Sequence, residues 1–265
     1  MKGVFVVARH LVAIDPGHGG QDLGAVFEGR MEKDDNLAMA LAIGQRLENH
    51  GLDVVYTRTT DVYDTPYQKA EMANKANADF LISIHRNSAA TPDTSTGVET
   101  LVFRDDGPAA DLAREINAQL QRVGFENRGV KERPNLLLLK RSKMPAVLVE
   151  LGFINNRQDN EMFDRYFNEI ADAIAEGIMN TIGIDNDDME DESEQRLYRV
   201  QVGAFRNANS ANQLLNELLE LGYPAFIVFD DGLYKVQVGA FAILDNAVQM
   251  EQTLRDAAYN TFITT

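Results

Sequence analysis

Residues 11–20 read Leu-Val-Ala-Ile-Asp-Pro-Gly-His-Gly-Gly. The first four are apolar on consecutive positions, and Val12 and Ile14 are β-branched. Such a run suits a strand buried on both faces, as in a parallel sheet. The glycines behind it permit a tight loop that leaves the His18 imidazole accessible. Short runs of the same kind recur at 52–57, 80–84, 98–103 and 146–149. Helical patterns lie between them. Leu37, Ala40, Leu41, Gly44 and Leu47 form a stripe that starts after Asp34-Asp35 and stops at His50-Gly51. Ala113, Ile116, Leu120 and Val123 form a second stripe, and a third runs from Met162 to Ile178. Strands alternating with helices predict an α/β fold with a mostly parallel sheet flanked by helices.

Composition narrows the class. Of 265 residues, 41 are acidic and 25 basic, a net charge of −16 that repels phosphate backbones and argues against nucleic-acid binding. Cysteine is absent, which removes disulfides, thiolate metal sites and a cysteine nucleophile. No stretch approaches the roughly 20 apolar residues of a membrane span. The apolar run in residues 1–8 is cut by Arg9 and His10, so no export signal is expected and synthesis in the cytoplasm is.

Residues 185–194 (DNDDMEDESE) hold seven acids and no base. Their self-repulsion predicts a linker over 185–195, between a first domain at 1–184 and a second at 196–265. The second contains a repeat: Tyr198-Arg-Val-Gln-Val-Gly-Ala-Phe205 returns as Tyr234-Lys-Val-Gln-Val-Gly-Ala-Phe241. Each copy alternates as a half-buried strand does, and each precedes a helical stretch. Two further strands, at 224–229 and 261–264, and a tight turn at Asp231-Gly232 complete a β-α-β-β-α-β order, a small α+β, ferredoxin-like module. Arg199, Gln201, Lys235 and Gln237 fall on its expected outer face.

Ligands of open α/β sheets bind beyond the carboxyl ends of the strands. There the sequence places His18, His85 and Glu150, each just after an apolar run, while Glu32 lies just before the first helix. Two imidazoles and two carboxylates converging on one cleft suit Zn2+, with three protein ligands and an open position. The fourth group is then free to act as general base. Spacing alone leaves open which carboxylate binds metal, and Asp22, Glu28, Asp34 and Glu99 compete with Glu32. His10 and His50 read as surface or helix-end residues.

The blocks that carry these groups are Ile14-Asp-Pro-Gly-His-Gly-Gly20 with Asp22-Leu-Gly-Ala25, Glu32-Lys-Asp34 with Asn36-Leu37, Ser83-Ile-His85 with Asn87, and Pro145-Ala-Val-Leu-Val-Glu150-Leu-Gly-Phe153 with Asn156. In this order they resemble the zinc-dependent N-acetylmuramoyl-L-alanine amidases of the amidase-3 family, over about residues 11–182. The resemblance implies His18, Glu32 and His85 as zinc ligands and Glu150 as catalytic acid/base. It also implies hydrolysis of the amide between N-acetylmuramic acid and L-alanine in peptidoglycan. Arg86 is bulkier and more charged than expected after this histidine and bears on substrate preference near the cleft. No HExxH motif surrounds the histidines, which argues against a common zinc peptidase. Residues 198–264 resemble a sporulation-related (SPOR) domain, which implies binding to glycan strands stripped of stem peptides. An enzyme without an export signal reaches the wall after lysis or release, as a mother-cell lytic amidase or a phage endolysin does.

Overall fold

The computed structural model describes residues 10–183, 197–230, 232–241 and 244–264. The expected linker at 185–195 and residues 1–9, read for an export signal, lie outside them. Among the described residues no helix is long and apolar enough to cross a membrane.

The first unit is built on a six-stranded sheet. In chain order its strands are β1 (Leu11–Pro16), β4 (Asp53–Tyr56), β5 (Phe80–Asn87), β6 (Val98–Val102), β7 (Asn127–Glu132) and β8 (Ala146–Phe153). A two-stranded hairpin, β2 (Val26–Phe27) and β3 (Arg30–Met31), stands apart from it. The spatial order is β4-β1-β5-β8-β6-β7. β1, β5 and β8 run parallel, as their unbroken apolar runs predict, and Val12, Ile14, Leu81, Ile82, Ile84, Val147 and Val149 are fully buried. β6 pairs with β8 antiparallel and with β7 parallel, so the sheet is mixed.

The helices are α1 (Glu32–Asn49), α2 (Pro66–Ala76), α3 (Gly107–Val123), α4 (Leu137–Arg141), α5 (Arg157–Arg165) and α6 (Phe167–Ile182). α6 packs on both α1 and α3, and α2 packs on α4. Gly177 makes the α3–α6 contact close, since a Cβ there would lie 2.9 Å from Ile116 Cα. The third apolar stripe is two helices and not one, because the backbone leaves helical geometry at Tyr166 (φ −113°, ψ 28°).

Strands β5 and β8 outrun their apolar runs. His85 and Glu150 are paired residues inside the sheet, and not the first loop residues after it. The ladder hydrogen bonds continue through them because backbone pairing is indifferent to a polar side chain that faces a cleft.

The second unit has strands β9 (Tyr198–Phe205), β10 (Ala225–Asp230), β11 (Leu233–Phe241) and β12 (Phe262–Thr264), with helices α7 (Ala208–Glu220) and α8 (Leu244–Asp256). They form an antiparallel sheet in the order β10-β11-β9-β12, the expected βαββαβ arrangement. Asp230 pairs with Leu233 and Gly232 has φ 72°, consistent with the expected hairpin, although Asp231 lies outside the described residues. Gln201 and Gln237 depart from the expected exposed face. They pair with each other on the two central strands and are only 7% and 5% exposed, covered by neighbouring strands on both sides.

Candidate metal centre

His18 sits in the loop after β1 with φ 59°, a left-handed conformation stabilised by a pair of backbone hydrogen bonds between Gly19 and Asp22. Asp22 Oδ2 lies 2.9 Å from His18 Nδ1, and Asp22 Oδ1 accepts from Gly24 N. This leaves Nε2 to face Glu32, whose Oε2 is 3.2 Å away. A carboxylate that fixes one ring nitrogen and frees the other is the arrangement that orients metal-binding histidines.

Glu32 opens α1, where the helix dipole favours an acid. It is 4% exposed, and its oxygens accept from the backbone N–H groups of Ala25 and Arg86. His85 Nδ1 lies 2.9 Å from Glu32 Oε1, and the two imidazoles meet edge-on with centroids 4.9 Å apart. One ligand atom from each of His18, Glu32 and His85 can be chosen so that all lie within 4.8 Å of one another. Two glycines make room for the cluster. A Cβ on Gly17 would lie 2.3 Å from the His85 ring, and one on Gly24 would lie 2.5 Å from Glu32 Oε2.

Without a metal, protons and hydrogen bonds hold this cluster. Burial opposes charge on His18, but Glu32 and Asp22 outweigh it and raise the imidazole to about 9. Burial likewise opposes charge on Glu32, and the hydrogen bonds and charges of the two histidines prevail, holding the carboxyl well below the usual carboxylate range. Glu150 behaves in the opposite way. Burial pushes it up to about 7, with Glu32 and Glu99 adding to that shift against the histidines. It stands in register with His85, and among the described residues its buried Oε2 has no hydrogen-bond partner. Two imidazole nitrogens, one ionised carboxylate and an orphaned acid beside them form a donor set that fits a divalent cation such as zinc.

The competing acids are not part of that three-residue cluster. Asp22 supports His18, Glu28 pairs with Arg157, Asp34 is exposed, and Glu99 meets Asn87 and Arg128. His50 caps the end of α1 and His10 lies near Asp79. Arg86 does not line the cleft. It follows His85 on a strand and so points to the opposite face, fully buried, bonded to Asp35 and Asn160 and stacked 4.3 Å from the Phe163 ring centroid. Lys69, which the sequence reading passes over, lies buried on α2. Its Nζ donates to the carbonyls of Pro16 and His18 and sits 3.0 Å from Asp15, which Ser83 also bonds.

Residues 12–180 match the family model described as N-acetylmuramoyl-L-alanine amidase. The chain belongs to this family. Residues 194–265 match the SPOR domain model. The amidase-family chain is 34% identical over 226 residues to the sporulation-specific N-acetylmuramoyl-L-alanine amidase of Bacillus subtilis (strain 168), covering 83% of this chain and 85% of that one. It is also 33% identical over 183 residues to an endolysin of Bacillus phage SPP1, covering 66% of each chain. An N-acetylmuramoyl-L-alanine amidase from Clostridium difficile 630 shares its fold with a TM-score of 0.63 and 32% identity, over 66% of this chain and 97% of that one. The family is generally zinc-dependent, and both matched domains indicate peptidoglycan as the partner.

Proposed function

We propose that the chain hydrolyses the amide joining the lactyl group of N-acetylmuramic acid to L-alanine, with His18, Glu32 and His85 holding zinc and Glu150 moving the proton. The observation that carries this reading is the unpartnered Oε2 of Glu150, buried beside the two-histidine, one-carboxylate cluster. Zinc bound there supplies a Lewis acid that polarises a carbonyl and acidifies water.

The chain's own residues do the rest. Glu150 accepts a proton from the attacking water as its oxygen bonds to the carbonyl carbon, then returns that proton to the nitrogen as the C–N bond breaks. The products are a lactyl carboxylate and a free alanine amine. A carboxyl near 7 is suited to both transfers at neutral pH. Asp22 keeps His18 oriented and the Ala25 and Arg86 N–H groups keep Glu32 oriented, so the ligand atoms need little rearrangement. No serine or threonine nucleophile enters the scheme.

The proposed division is a catalytic domain at 1–184, a linker at 185–195 and a wall-binding domain at 196–265, the last keeping the enzyme on glycan strands. Mass analysis of muropeptide products tests the chemistry. Loss of the intact stem peptide from the sugar, abolished by chelation and restored by zinc, is the expected result. Cleavage between amino acids, or full activity in metal-free protein, would overturn it.

A further inference from the structure

The strand order sets a row of polar side chains across the sheet. His85 on β5 is in register with Glu150 on β8, and Glu150 with Glu99 on β6, so all three project from one face. The row continues to β7. There Arg128 Nε lies 3.5 Å from Glu99 Oε2, and Nη1 donates to the Thr96 carbonyl at 3.2 Å. Its guanidinium carbon is 5.2 Å from the Phe153 ring centroid. Glu99 is itself held, because its Oε1 accepts from Asn87 Nδ2 at 3.2 Å. Among the described residues Arg128 Nη2 has no hydrogen-bond partner, the buried Nε meets Glu99 only as an ion pair, and the side chain is 34% exposed. The guanidinium is thus fixed by an acid, a carbonyl and a ring, with one edge of its donor fork open to solvent.

The chemistry of that edge selects its ligand. A planar guanidinium fixed in place binds carboxylates through paired N–H donors. Beside the metal cluster stand Glu150 and Glu99, acids that offer a carboxylate no cationic partner. Two other cations near the cluster are committed elsewhere, Arg86 on the opposite face and Lys69 beneath the His18 loop. The N-acetylated sugars of peptidoglycan are uncharged, whereas its stem peptide carries free carboxylates. Strands about 4.8 Å apart put the β7 backbone about 14 Å from β5, and the arginine side chain reaches back toward Glu99. The guanidinium therefore stands roughly 10 Å from the metal ligands, a length that the alanine, the residue after it and a hydrogen-bond contact of about 3 Å together span.

We infer that Arg128, pinned by Glu99 and Phe153, is a specificity residue that receives a stem-peptide carboxylate on the alanine side of the scissile amide. This rests on the amidase reading above. The test uses the zinc-loaded full chain and two soluble muropeptides that differ only at the residue after alanine, one with a free α-carboxylate and one with that group amidated. Arg128→Gln lowers kcat/KM about 10- to 100-fold on the carboxylate substrate, chiefly through KM, and less than about threefold on the amide. Arg128→Lys keeps part of the preference, because it retains the charge and loses the fork. Equal losses on both substrates, or no loss on either, would overturn the inference. A zinc-loaded wild-type protein that cleaves neither muropeptide would overturn the amidase reading itself, a distinguishable result.

Discussion

Replacing Glu150 with glutamine separates what its carboxyl does for the reaction from what it does to the fold. The substitution keeps the shape and removes the titration. In the folded protein this carboxyl is raised from its ordinary 4.5 to about 7. A raised carboxyl means that the native state binds its proton more tightly than the unfolded chain does. Stability is therefore lost as pH rises from about 4.5 through 7, and the full penalty is present above that. Converting the whole shift gives about 3 kcal/mol. Glu150 is partly exposed even though its Oε2 is buried, so solvent screening reduces this to about 1–2 kcal/mol. Metal-free Glu150→Gln should thus be more stable than wild type by about that amount at pH 8, and nearly equal to it at pH 4. The titrations of His18 and Glu32 are common to both proteins and largely cancel in the difference. The zinc-loaded variant should retain metal and lose at least about a hundredfold in turnover. Urea melts of chelator-treated protein at the two pH values, with turnover on a soluble muropeptide, measure all of this. A stability change that is the same at both pH values, or undiminished turnover, would refute the reasoning.

Metal uptake should depend on pH, because the metal-free His18 holds a proton up to about 9 that a cation must displace. Zinc affinity should rise by up to about tenfold per unit from pH 6 toward pH 9, read by competition with a chromophoric chelator, and a flat profile would contradict the assigned proton. Gly17→Ala should weaken zinc binding by about 10- to 100-fold while leaving the circular dichroism spectrum unchanged, since its methyl group would displace the His85 ring. A chain ending at Asp185 should match the full chain on a soluble muropeptide and sediment less with sacculi, because tethering raises local concentration only on an insoluble substrate. Equal sedimentation with and without residues 196–265 would remove the targeting role.

The parts of this protein legible in its sequence are those whose side chains face one uniform environment. β1, β5 and β8 are apolar on both faces, and the glycines around His18 have no role in a packed core, so both stand out. The direction of β6 does not, because its nearly continuous burial, relieved only at Glu99, reads the same whether the strand runs up or down. β7 (Asn-Arg-Gly-Val-Lys-Glu) escapes notice as a half-exposed edge strand whose charges discourage pairing with another chain. α2 is missed because its buried stripe is Ala70, Ala73 and the stem of Lys69, while Thr65 and Gln68 form a capping box that marks its start. The cluster of His18, Glu32 and His85 is legible as a set of residue types. The choice of Glu32 over Asp22 depends on where a helix begins, and Asp22 turns out to serve the histidine instead.

The reversal of direction between β8 and β6 divides the cleft by origin along the chain. His18, Glu32 and His85 all precede residue 88, whereas Glu99, Arg128 and the 88–97 segment that leads into β6 come later. Surface connections accept insertions and substitutions more readily than the strands they join. The far wall of this cleft can therefore be lengthened, shortened or recharged between residues 88 and 97 without disturbing any of the three proposed ligand side chains, so new stem-peptide preferences are accessible to this scaffold at little risk to its proposed chemistry.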